Sequence, residues 1–237
     1  MFKHFKEIDY DNKSTWERKR ILTFDIDWAS DEIILDTLDL LNQNNVKATF
    51  FVTHQTPVLG EIRSNSNFEL AIHPNFNPIL NLESEKSVNK VFEEILEIVP
   101  EAIVSRSHSL TNSGRWNSIY EEKGLRYTSN YFMYMQKDIK PIKNINDVVE
   151  IPIYFADDAL LYLNDDKFDL TIPEFKTTNF ERITLFFYQP IHVALNSNSL
   201  KLYDETRGFH DDFNKISNIS KKHIGVRDVL KNLIEKE

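Results

Sequence analysis

The feature that most constrains this chain is the stretch Ile21-Leu-Thr-Phe-Asp25-Ile-Asp27-Trp28, an apolar run that breaks into two carboxylates one residue apart. Such a run reads as a strand buried on both faces, opening onto a polar site at its end. Asp31 to Asn42 then places Ile34, Leu35, Leu38 and Leu41 on one helical stripe, with acids in the first turn. Val46 to Val52 reads as a second strand, dense in β-branched and aromatic residues. Strand, helix and strand within about 32 residues form a βαβ unit, which makes the strands parallel and the crossover right-handed. Parallel sheets collect ligands at the carboxyl ends of their strands, where Asp25 and Asp27 fall. Carboxylates held there cost desolvation energy unless a metal ion or an arginine sits beside them.

The pattern continues along the chain. Phe68 to Ile72 reads as a third strand ending at His73-Pro74, and Ser84 to Val99 as a helix. Ala102 to Ser105 is a fourth strand running into Arg106-Ser-His108. Trp116 to Lys123 is helical and stops at Gly124, and Leu125 to Thr128 is a fifth strand. Val148 to Phe155 reads as one strand running into Asp157-Asp158, and Ile183 to Tyr188 as a seventh ending at Pro190-Ile-His192. Residues 1–19 form an arm, 136–147 and 163–180 are polar loops or an excursion, and 223–237 is an amphipathic tail helix. No repeat or linker divides 20–237, which reads as one α/β domain. Five strand ends carry polar, chemically able side chains, and in a barrel or open sheet those ends converge on one face.

Composition narrows the chemistry. Lys and Arg number 28 against 37 Asp and Glu, a net charge of −9 with no basic stripe, which speaks against a nucleic-acid partner. Cysteine is absent, so a metal here must be held by histidine, carboxylate, amide or water oxygen. Neither a signal-like apolar core nor a membrane-length apolar run is present, so the expected location is cytoplasmic. His4, His54, His210 and His223 read as surface residues. Tyr131-Phe-Met-Tyr134 reads as packing, with a sugar-stacking surface as the alternative.

Phe24-Asp25-Ile26-Asp27-Trp28, the Ala48-Thr-Phe-Phe-Val52 strand and Glu69-Leu-Ala-Ile-His73-Pro74 agree in order and spacing with a known family. The chain resembles the polysaccharide deacetylases, the NodB-homology enzymes of carbohydrate esterase family 4. Its closest likeness is to a divergent branch associated with surface-polysaccharide biosynthesis. The resemblance implies a distorted barrel of about seven β/α units. It also implies a divalent metal, commonly zinc (manganese, cobalt or nickel being the others), and hydrolysis of an N-acetyl group on an amino sugar.

Carried over by position, Asp25 matches the general base that activates water and Asp27 the metal-binding aspartate, although Ile26 between them leaves the two roles interchangeable. His73 matches the first metal-binding histidine. The second falls at Asn77, a weaker neutral ligand, so His108 or Asp158 is drawn in as a further donor. Arg106 matches the arginine that orients the base. His192 matches the histidine that protonates the leaving amine, with Asp157 or Asp158 as its acidic partner.

The leading expectation is therefore a metal-dependent hydrolase of linear amides acting on an acylated amino sugar. Two alternatives stay open. One is a deacetylase-like fold that binds sugar or a partner without chemistry, which Asn77 keeps alive. The other is a glycosyltransferase using Asp25-x-Asp27 for its metal, disfavoured because no nucleotide-binding unit precedes the motif.

Overall fold

The computed structural model describes residues 1–163 and 182–235. Among these residues nine strands form one sheet: β1 (Arg20–Asp25), β2 (Ala48–Val52), β3 (Phe68–Ile72), β4 (Val104–Ser105), β5 (Tyr127–Thr128), β6 (Ile142–Lys143), β7 (Val149–Glu150), β8 (Phe155–Ala156) and β9 (Thr184–Tyr188). Their order is β6-β7-β5-β4-β3-β2-β1-β9-β8. Every pairing is parallel except that of β6 with β7. β1 through β3 are almost wholly buried, their apolar side chains interrupted by Thr23, Asp25, Thr49 and Glu69.

The expected single strand over Val148 to Phe155 is instead two short ones. β7 pairs with β5 toward one edge of the sheet, with β6 outermost there, and β8 pairs with β9 at the other edge. Between them Ile153 N–H donates to Tyr131 O and Tyr154 N–H to Leu185 O. One segment thus joins both edges, and the sheet curls into a distorted barrel. Pro152 is consistent with the break, because it offers no N–H to a ladder.

The α-helices of the described residues are α1 (Asp31–Gln43), α2 (Val58–Ser64), α3 (Asn77–Leu80), α4 (Val88–Ile98), α5 (Asn117–Glu122), α6 (Asp157–Leu163), α7 (Pro190–Leu195), α8 (Leu200–Thr206), α9 (Phe213–Ser220) and α10 (Val226–Ile234). His192 is a correction: it lies inside α7, one turn beyond the end of β9. The polar excursion read over 163–180 falls, apart from Leu163, outside the described residues. Ile142–Lys143 shows that the polar 136–147 stretch also contributes an edge strand.

Strand alternation gives the barrel an apolar outer layer and an inner one that carries Thr23, Asp25, Thr49 and Glu69. Outside, Phe24 stacks on Phe50 with ring centroids 5.3 Å apart. At the bottom of the interior, Glu69 accepts from Thr49 Oγ1 (2.9 Å) and from the Phe5 N–H (3.0 Å). The first 19 residues thereby plug that end, burying Phe2, Phe5, Ile8 and Trp16. His4 is buried too, not on the surface, because its Nε2 reaches the Asn67 carbonyl at 2.8 Å.

Candidate active site and metal centre

The interior climbs from that plug to a charged cluster at the carboxyl ends of the strands. Asp25 closes β1 and is buried. Its Oδ1 accepts from Arg106 Nη1 at 2.8 Å, and the same Nη1 donates to Thr23 Oγ1 at 3.0 Å. The rest of the guanidinium is satisfied by Ser129, through its carbonyl (3.1 Å) and its hydroxyl (3.0 Å). Its plane is covered by the rings of Phe51 (4.2 Å) and Phe187 (4.9 Å). Burial pushes the Asp25 carboxyl above the usual range, with Arg106 and His73 opposing and Asp27 adding to the rise. A carboxyl that burial pushes up and a guanidinium holds in place suits a base that accepts and returns a proton.

Asp27 stands two residues on, beyond the end of β1, in the turn that follows the strand. It and Trp28 both take left-handed backbone conformations, φ 38° and 57°, which a bulky residue adopts only when its surroundings hold it there. Here the hold comes from Ala29 N–H to Ile26 O (2.7 Å) and Trp28 N–H to Thr53 Oγ1 (3.1 Å). The turn presents Asp27 Oδ1 to two imidazoles, His73 Nε2 and His108 Nδ1, each at 3.2 Å. His73 Nε2 also lies 3.5 Å from Asp25 Oδ2.

These atoms fit a metal ion. His73 donates Nδ1–H to the Arg106 carbonyl at 2.7 Å, which leaves Nε2 as the coordinating atom, the usual outer-shell arrangement for a ligand histidine. One ligand atom from each of Asp27, His73 and His108 lies within 4.8 Å of the others. Without a cation, ring lone pairs would face carboxylate oxygens. A proton relieves the same strain: burial resists charging His73, yet Asp25 and Asp27 outweigh it and raise its pKa. Burial likewise pushes Asp27 up, but His108 and His73 win and hold it well below the carboxylate range. Ion and proton therefore compete for one position.

The other expected residues are placed as follows. Asn77 opens α3 and donates its amide N–H to Ser109 Oγ at 3.1 Å; no hydrogen bond joins it to Asp27, His73 or His108. Asp158 lines the cleft that holds Asp25, Asp27, His73 and His108, a space of about 510 Å³. Desolvation raises its pKa, with Asp25 and Asp27 adding to the rise. Phe132, from the aromatic stretch, lines the same cleft and is partly exposed. His192 is buried, its Nδ1 3.0 Å from Ser197 Oγ, and burial lowers it to about 3. Of its two expected partners, Asp158 lines the cleft, and Asp157 accepts from the backbone N–H groups of Asp158 and Gln189, both at 2.8 Å.

Gln189 is the residue that sequence reasoning missed. It follows β9 directly, where a strand-end survey should look, and its Nε2 donates to Asp27 Oδ2 at 2.8 Å. A neutral amide carries no signature of proton or metal chemistry, and the eye passes on to His192.

A family model described as WbmS-like polysaccharide deacetylase matches residues 22–207. The chain belongs to the WbmS-like polysaccharide deacetylase family. Within that fold, it is similar to a crystal structure from Bordetella bronchiseptica assigned as a polysaccharide deacetylase involved in O-antigen biosynthesis (WbmS). The two share 32% identity, with 99% of this chain and 97% of that one covered and a TM-score of 0.92. A polysaccharide deacetylase-family structure from Mycobacterium smegmatis aligns at 17% identity over 91% and 88% of the two chains, with a TM-score of 0.47. No curated protein sequence matches the chain. No helix among the described residues is long and apolar enough to cross a membrane.

Proposed function

We propose that this family member hydrolyses the N-acetyl group of an amino sugar during surface-polysaccharide biosynthesis of the O-antigen or capsule kind, using a divalent ion, zinc first. The observation that carries the reading is the convergence of Asp27, His73 and His108 beside the Arg106-held Asp25. Likeness to the Bordetella protein over nearly the whole of both chains supports the pathway. We place the reaction in the cytoplasm.

Asp27, His73 and His108 would hold the ion, which supplies Lewis acidity for the amide carbonyl and its developing negative charge. Asp25 takes a proton from the attacking water as the new C–O bond forms. Arg106 keeps that carboxylate oriented through the step. When the C–N bond breaks, the departing nitrogen needs a proton. Asp25 can return the one it took, and Asp158 offers a second carboxyl across the cleft. We do not give this step to His192, because a ring bonded to Ser197 and held neutral by burial is a poor donor.

The test is acetate release from N-acetylated amino sugars together with metal analysis. Asp27→Ala should lose bound metal and activity together, whereas Asp25→Asn should keep its metal and lose acetate release. No acetate from any acetylated sugar with metal bound would leave a sugar-binding protein as the function.

A further inference from the structure

The cleft has a second lobe. On the far side of Asp27, His108 and Gln189 lies a space of about 640 Å³ bounded by Trp28, Tyr203, Arg207 and His210. The two lobes share those three residues, so one ligand can occupy both. Together they exceed what a single amino sugar fills, which asks what the rest of the ligand is.

The walls of the second lobe answer in chemical terms. Arg207 is the one Lys or Arg among the described residues lining either lobe, in a chain of net charge −9. Its guanidinium lies over Tyr203 (5.6 Å) and donates to Asp204 Oδ1 at 2.9 Å. Both partners of that ion pair are exposed, so the pair is screened and weak, and Arg207 can exchange Asp204 for a better acceptor. His210 packs on the same tyrosine at 4.8 Å. Trp28 stays half exposed in a strained backbone turn, offering its ring to whatever enters. Asp211 also lines the lobe, so an anion is admitted only where Arg207 neutralises it. A neutral glycan would gain only ordinary hydrogen bonds from this guanidinium, whereas a phosphate gains charge-assisted, bidentate ones.

We propose that this lobe binds a phosphate carried on the anomeric carbon of the substrate, so that the enzyme acts on a sugar phosphate and not on a neutral glycan. The geometry of amino sugars agrees: in a 2-acetamido sugar the reacting nitrogen is on C2, next to the phosphate-bearing C1, just as the two lobes adjoin at Asp27. Arg207 reads the phosphate by charge-assisted hydrogen bonds, and Trp28 and Tyr203 receive a ring. The proposal rests on the amide-hydrolase reading, and its test is therefore a binding measurement that needs no turnover.

The full-length, zinc-loaded Asp25→Asn protein would be titrated calorimetrically with N-acetylglucosamine, its 1-phosphate, its uridine diphosphate conjugate and a short-chain prenyl diphosphate conjugate. The phosphorylated ligands should bind at least about tenfold more tightly than the neutral sugar. Arg207→Gln should erase most of that gap with an unchanged thermal melt. A tighter nucleotide conjugate would identify a nucleotide source, a tighter prenyl conjugate a lipid source, and equal affinities a site that reads phosphate alone. Equal binding of neutral and phosphorylated sugars, or a gap that survives Arg207→Gln, overturns the proposal. Failure of the hydrolase reading shows separately, as wild-type protein that binds sugar phosphates without releasing acetate.

Discussion

Gln189 donates its side-chain N–H to Asp27 Oδ2 at 2.8 Å while its backbone N–H is held by Asp157 at 2.8 Å. The free oxygen of Asp27 is thus left facing His73 and His108. Partners of this kind fix ligand orientation, and their loss weakens metal binding by about 10–100-fold. Gln189→Leu should lower zinc affinity by that factor in a competition titration, without changing the protein's melting temperature by more than a few degrees. Undiminished zinc affinity would show that Asp27 needs no help.

Arg106 is wholly buried, and its guanidinium bonds to Asp25 and Thr23 of β1 and to Ser129. Substitution by Met keeps the volume but strands the Asp25 carboxyl in the interior. Stranding one member of a buried ion pair costs about 3–5 kcal/mol, and urea unfolding of Arg106→Met should read a loss of that size. Arg106→Lys should recover only part of it, because an ammonium cannot span Asp25, Thr23 and Ser129 together.

His192 ties stability to pH. In the unfolded chain it takes up a proton near its ordinary pKa of about 6.5, whereas burial delays this to about 3 in the folded protein. Its contribution is therefore complete above pH 6.5 and declines as the pH falls toward 3, by up to ~1.4 kcal/mol per pH unit. A His192→Asn variant should show a flatter stability profile between pH 6 and 4 (about two units inside that window). An identical slope in both proteins would rule out a neutral buried imidazole.

Gly225 is held where a side chain has no room: a Cβ there would come within 1.9 Å of the Asn196 carbonyl oxygen. Asn196 is the left-handed cap of α7, and its amide bonds His223 O and Asp228, which fastens α10 to α7. Since the obstacle is backbone, Gly225→Ala should loosen this joint and cost about 2 kcal/mol or more in thermal unfolding. Hydrogen exchange should show the loss concentrated in Val226–Ile234.

Most of the barrel could be read in advance, because β1, α1, β2 and β3 each carry a period that admits one answer. The segment 148–156 could not. Its apolar run fits one strand as well as two, and only the closing of the sheet decides that its halves serve opposite edges. The acidic pair, His73, Arg106 and His108 were legible for the same reason as the strands, since each stands at a strand's end. His192 shows where that reasoning fails. A histidine is conspicuous in sequence, but three residues of helix carry it away from the strand end, and the inconspicuous Gln189 holds the place beside Asp27.

The seam between β1 and β9 joins residues near the start of the chain to residues more than 160 positions later, as the Thr23–Phe186 bond records. Closing so distant a contact is the slow, entropically costly part of folding. Asp27 lies on one side of that seam and Gln189 on the other. A nascent or partly folded chain can therefore carry Asp27, His73 and His108 and still lack the proposed metal site in finished form, and under that proposal metal uptake would report completion of the barrel.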